Sequence, residues 1–172
     1  MDLKALIREI PDFPQPGISF KDISTVIGDA AAFHYIIEEL AKGFRSARPE
    51  VVVGIESRGY IIGAPLAYAL DAGFILVRKP GKLPAATERI DYTLEYGQNS
   101  LEIHKDAIRA GQKVLIVDDI LATGGTVSAT AELVRRLGGE IVGYAFLAEL
   151  DALQGRAKLN DAPIISLVHY ED

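Results

Sequence analysis

Five short apolar runs constrain this chain more than any other feature: Val51–Ile55 and residues 74–77, 114–117, 141–148 and 164–168. They are rich in β-branched residues and do not alternate polar with apolar. Strands covered on both faces read this way, as in a parallel sheet. Helix-like segments lie between them. Residues 30–45 place Phe33, Ile36, Ile37 and Leu40 at helical spacing, and residues 60–70 are small and apolar. Residues 126–137 put Ala131, Val134 and Leu137 on one stripe before Gly138-Gly139, a helix C-terminal signal. The alternation predicts an α/β fold: an open, mainly parallel twisted sheet with helices on both faces.

Length and charge narrow the function. At 172 residues, 49% of them apolar, the chain suits a single domain over 1–172. A formal charge of −6 argues against a nucleic-acid partner, so any bound anion must be met by a local cluster of donors. The absence of cysteine excludes a disulfide scaffold, a thiolate zinc site and a cysteine nucleophile. Residues 1–13 scatter charges through their apolar positions and offer no signal-peptide core, so the expectation is a cytoplasmic protein. Residues 59–77 hold one charge, Asp71, but Gly63, Pro65 and Asp71-Ala72-Gly73 read as a buried helix followed by a strand. No membrane partner is expected.

Two segments break the rhythm. Residues 78–100 are polar, contain Pro80, Gly81 and Pro84, and are too long for a plain connector; such insertions are usually lids or hairpins. Residues 1–28 are rich in turn signals: Pro11, Pro14, Pro16 and Gly17.

The chemistry concentrates in Val114-Leu115-Ile116-Val117-Asp118-Asp119-Ile120-Leu121-Ala122-Thr123-Gly124-Gly125-Thr126. It reads as a buried strand ending in two carboxylates, then a glycine turn that opens a helix. Ligands of open α/β sheets bind at the carboxyl ends of strands. Backbone N–H groups of Ala122, Thr123, Gly124, Gly125 and Thr126 can cradle a phosphate there. Asp118 and Asp119 can accept from two vicinal ribose hydroxyls or hold Mg²⁺. No Lys follows the glycines, so this is not a Walker A loop. Gly54-Ile55-Glu56-Ser57-Arg58-Gly59 is a second strand-to-helix turn. Its serine lacks the G-x-S-x-G spacing of a hydrolase. His34, His104 and His169 read as helix, strand-edge and tail residues rather than a triad base.

The string from 114 to 126 resembles the phosphoribosyl-pyrophosphate loop of the type I phosphoribosyltransferases. Three further segments resemble the adenine-using members: Phe13-Pro14-Gln15-Pro16-Gly17-Ile18-Ser19-Phe20-Lys21-Asp22-Ile23, then Glu56-Ser57-Arg58-Gly59, then Arg78-Lys79-Pro80-Gly81-Lys82-Leu83-Pro84 with Leu94-Glu95-Tyr96-Gly97. The resemblance implies transfer of the 5-phosphoribosyl group from phosphoribosyl pyrophosphate to N9 of adenine, giving AMP and pyrophosphate. It implies Mg²⁺ as cofactor, held mainly by substrate and water, and a homodimer. Pyrophosphate would fall to Ser57, Arg58 and Gly59, with a non-proline cis bond at Glu56–Ser57, and to the lid cations Arg78, Lys79 and Lys82. Residues 1–28 would form a base-binding hood and 78–100 a flexible lid hairpin. Backbone groups around Ser19 and Lys21 would read the adenine edge while Phe20 and Ile120 sandwich its ring; Phe20 alone reads equally well as core. Glu95 would exchange a proton with N7. Ser19, Lys21 and Glu56 depart modestly from the family pattern.

Overall fold

In a computed structural model, residues 1–94 and 97–171 are described. The chain opens with a helical turn, α1 (Leu3–Leu6), then a small antiparallel pair, β1 (Arg8–Ile10) and β2 (Phe20–Asp22), then a second helical turn, α2 (Ser24–Ile27). The Asp29 carboxylate caps α3 (Ala30–Phe44) by accepting from Ala32 N at 2.8 Å. The α/β body follows as β3 (Val51–Ile55), α4 (Arg58–Ala69), β4 (Gly73–Arg78), β5 (Thr87–Thr93), β6 (Gln98–His104), β7 (Lys113–Leu121), α5 (Gly125–Arg136), β8 (Glu140–Leu150) and β9 (Ile164–Tyr170). Three short 3₁₀ turns, Arg45–Ala47, Asp151–Leu153 and Gly155–Lys158, complete it. No helix among the described residues is long and apolar enough to cross a membrane.

The large sheet has the order β5-β6-β4-β3-β7-β8-β9, parallel from β4 to β9 and antiparallel at β5 and β6. Successive strand residues point to opposite faces, and here both faces are covered. Val52, Leu115 and Val117 join α3 and α4 in one core, while Val53, Ile55 and Ile116 join α5 in the other. This is why the runs show no alternation. The hood shares the first core through Leu3, Ile7, Ile23 and Val26, so residues 1–28 are anchored rather than appended.

Two expectations change, and the hairpin expected within 78–100 is placed. The run at 74–77 is only partly covered: α4 packs on β4 through the Tyr60–Phe74 contact, yet Leu76 stays 39% exposed. β7 runs on through Asp118 and Asp119 to Leu121, since β8 continues beside it with Asp118↔Phe146 and Leu121↔Glu149 in register. The segment 78–100 holds β5 and the start of β6, an antiparallel pair. β6 pairs with β4 at Val77↔Ile103, which extends the main sheet by a hairpin.

Candidate active site

β3 and β7 lie side by side, with Gly54 opposite Val117, and their chains then leave toward opposite faces of the sheet: β3 into α4, β7 into α5. Such a divergence opens a crevice at the carboxyl ends of the two strands. The crevice is a cavity of about 300 Å³. Glu56 and Arg58 line one side, Asp118 to Thr126 the other, and Lys79 reaches in from the β4–β5 loop.

The turn before α5 is shaped for an anion. Gly124 caps the helix at φ 81°, a left-handed conformation that glycine adopts without penalty. The first-turn N–H groups of a helix have no intrahelical acceptor and carry the positive end of its dipole. α5 has no acidic residue in that turn to compete with a phosphate. The turn is supported from behind, since Gly155 packs so closely that a Cβ there would meet Ala122 O at 2.2 Å.

Across the crevice the Glu56–Ser57 peptide is cis, as the resemblance implied. Ser57 occupies the cap position of α4 and Gly59 is buried in its first turn. Arg58 Nε lies 2.9 Å from Asp119 Oδ2, and its guanidinium carbon lies 5.6 Å from the Phe20 ring centre. Asp119 Oδ2 is buried and accepts no hydrogen bond. Asp118 Oδ1 accepts from Asp119 N at 2.9 Å. Burial, and then the neighbouring Asp119 carboxylate, push Asp118 well above the usual carboxylate range. Two close acceptors with unmet capacity suit vicinal hydroxyls, or the water shell of a divalent cation. One cluster among the described residues has metal-ligand geometry, Glu149, Asp151 and His169, but it does not line this cavity. Its Glu149 is already engaged by Arg156 at 2.6 Å and Ser166 at 2.7 Å.

The remaining candidates fall in three groups. Ile120 lines the cavity, whereas Phe20 meets it only through its contact with Arg58, and Ser19 and Lys21 do not line it. Phe20 is half-buried, edge-on to Phe13 at 5.2 Å. The Lys21 side chain is buried and turned to Glu9 (2.9 Å), Ser19 Oγ (3.2 Å) and the Tyr170 ring (4.2 Å). Of the lid cations only Lys79 lines the cavity. Arg78 is paired to Glu56 at 3.1 Å and Lys82 is exposed. The loop is held by Gly81 N donating to Glu102 Oε1 at 2.9 Å and Lys79 N donating to Glu56 Oε2 at 2.9 Å. Glu95 and Tyr96 lie outside the described residues. Sequence reasoning missed the hairpin wall: Tyr92, Asn99, Ser100 and Leu101 also line the cavity. The signal was present in Ile90, Tyr92 and Leu94, which alternate with polar residues as a half-buried strand does.

Comparison with known proteins agrees with this geometry. The family model "Phosphoribosyl transferase domain" matches residues 25–167. A relative from Synechocystis sp. called adenine phosphoribosyltransferase is 58% identical over 99% of this chain and 100% of its own length. The crystal structure of adenine phosphoribosyltransferase from Thermoanaerobacter pseudethanolicus superposes with a TM-score of 0.95 at 56% identity, covering 98% of each chain. The Saccharomyces cerevisiae enzyme, solved with an imino-altritol bisphosphate and adenine, gives a TM-score of 0.90 at 43% identity over 96% of each chain. Since the matched region takes in β3, β7 and both turns that face the cavity, the chain belongs to the phosphoribosyltransferase family.

Proposed function

We propose that this protein transfers the 5-phosphoribosyl group of phosphoribosyl pyrophosphate to N9 of adenine, giving AMP and pyrophosphate. One observation carries the reading: the phosphate-cradling turn of β7 and the Arg58 turn of β3 face each other across a single crevice, 2.9 Å apart at Arg58–Asp119, with Phe20 alongside. The named relatives, and the adenine bound in the yeast structure, support adenine as the acceptor.

The proposed roles follow from the chemistry of each group. Ala122, Thr123, Gly124, Gly125 and Thr126 anchor the 5-phosphate, so remote binding energy positions the sugar. Asp118 and Asp119 accept from the ribose hydroxyls and offset positive charge as the anomeric carbon becomes oxocarbenium-like. Ser57, Arg58 and Gly59 receive the leaving pyrophosphate, and Arg58 leaves Asp119 to do so. Lys79, with Arg78 and Lys82 from the same loop, adds charge and limits water. The electron pair of the breaking C–O bond leaves with pyrophosphate while N9 forms the new bond. Mg²⁺, with substrate and water as its main ligands and Asp118 and Asp119 as acceptors for its water shell, would screen the diphosphate charge.

Adenine lies between Phe20 and Ile120. β2 is paired along one edge only, to β1, and this leaves backbone groups near Ser19 and Lys21 to meet the amino group and the adjacent ring nitrogen. An oxopurine would set oxygen against a carbonyl and be rejected. Glu95 is assigned to take the proton from N7 of the reacting adenine as N9 forms its bond, which leaves the base of AMP neutral. A cytoplasmic homodimer belongs to the same reading; Ile61 and Tyr68 form an exposed apolar stripe on α4 that a second copy could cover. The test is AMP formation from phosphoribosyl pyrophosphate and Mg²⁺ with adenine, hypoxanthine, guanine, xanthine and orotate supplied separately. Turnover with adenine alone is expected. Turnover with another base would overturn the hood assignment, and none with any base would overturn the activity.

A further inference from the structure

The geometry points to Tyr92 as a positioning residue that orients the Thr126 hydroxyl toward the substrate's 5-phosphate, an inference that rests on the phosphate-loop reading above. Tyr92 lies on β5, outside the motif string, yet it lines the same cavity. Its side chain is half-buried, and its hydroxyl lies 3.2 Å from Thr126 Oγ1 in the first turn of α5. Leu94, two residues on, presses on the same turn, since a Cβ at Gly125 would meet its Cδ2 at 3.3 Å. The hairpin therefore touches the phosphate turn at two adjacent positions.

A hydroxyl has one hydrogen to donate and two lone pairs to accept with. In the free protein either hydroxyl of this pair serves as donor. A phosphate offers acceptors only, so once it sits at the turn the Thr126 hydrogen must point to it. The Tyr92 hydroxyl must then donate to Thr126 Oγ1. The result is a directed chain, Tyr92 O–H to Thr126 Oγ1 and Thr126 O–H to phosphate oxygen. Each bond in such a chain polarises the next. Without the Tyr92 hydroxyl, the threonine loses the partner that fixes its hydrogen.

Tyr92→Phe tests this while keeping the ring and its packing. Relative to wild type, KM for phosphoribosyl pyrophosphate and Kd for ribose 5-phosphate are expected to rise about 3- to 10-fold, the worth of one neutral hydrogen bond. KM for adenine is expected to change less than twofold. Thr126→Val should weaken phosphate binding by itself, and Tyr92→Phe on that background should add nothing further. Ribose 5-phosphate affinity, read by calorimetry, tests the inference even if wild-type protein turns over no base, so failure of the activity and failure of this role are separable. Wild-type affinity in Tyr92→Phe would overturn the role of Tyr92. So would an equal rise in adenine KM, or full additivity with Thr126→Val.

Discussion

Gly155→Ala is the most discriminating perturbation the structure offers, because it strikes the phosphate turn without touching the cavity. A Cβ at this position would meet Ala122 O at 2.2 Å, Gly124 N at 3.0 Å and Leu121 Cδ1 at 3.1 Å. Carbon–oxygen contacts settle no closer than about 3.3 Å. The shortfall is therefore on the order of 1 Å, and two of the three neighbours are backbone. The turn carrying Gly155 is tethered in its own right by the two-pronged Arg156–Glu149 pair at 2.6 and 3.0 Å. Part of the displacement must then pass into residues 122–124. Overpacking of this kind costs roughly 1–3 kcal/mol. For a chain of this size, a melting temperature lower by roughly 3–10 °C is expected. A 1 Å misplacement of a positioning group costs up to about 100-fold in rate. The assay is kcat/KM for phosphoribosyl pyrophosphate, taken well below the variant's own melting temperature so that unfolding does not contribute. A fall of about 10- to 100-fold is expected. A variant within threefold of wild type would refute the claim that Gly155 sets the position of the phosphate turn.

Asp118→Asn should separate stability from function. The Asn Oδ1 still accepts the Asp119 N–H, but the buried charge is gone. Because the folded protein holds the Asp118 proton above the free-chain value of 3.8, wild-type stability falls as pH rises from there. The variant should therefore melt higher at pH 8, with the gap closing below pH 4, and it should lose most activity; a variant less stable than wild type at pH 8 would contradict this. Arg156→Met strips Glu149 of its main partner. Burial alone would raise Glu149, yet Arg156 and Ser166 hold its carboxyl below the ordinary 4.5. The pair thus contributes stability above that value and loses it as pH falls, so the variant should be weaker by about 1–3 kcal/mol at pH 7 and converge on wild type in acid denaturation below pH 4. Lys21→Met removes the ammonium that ties Glu9, Ser19 and Tyr170 together behind the base-reading segment. Adenine KM should rise by about 3- to 30-fold, with KM for phosphoribosyl pyrophosphate little changed and Lys21→Arg partly restoring it; equal effects on both substrates would refute a local role.

Much was legible along the chain. The apolar runs at 51–55, 114–117 and 141–148 announced buried strands, because a sheet covered on both faces needs apolar side chains at every position. The string from Asp118 to Thr126 announced an anion site, because adjacent carboxylates, two glycines and threonine hydroxyls at a strand-to-helix turn leave few other uses. Residues 78–100 misled in part, since their turn residues and charges masked the period-2 pattern of Ile90, Tyr92 and Leu94 that marks β5.

What the sequence determined by itself was thus the type of each element and the local chemistry of its turns, both fixed by neighbours a few residues apart. The tertiary structure alone decided that β3 lies next to β7, which turns two separate loops into one crevice and sets Arg58 2.9 Å from Asp119. It alone brought Tyr92 to Thr126 and Gly155 under the phosphate turn. It also raised the Asp118 carboxyl, through a burial no local pattern records. The physical reason is that hydrophobic pattern specifies which faces are buried, whereas strand order and close backbone approach depend on how distant segments fill the same space.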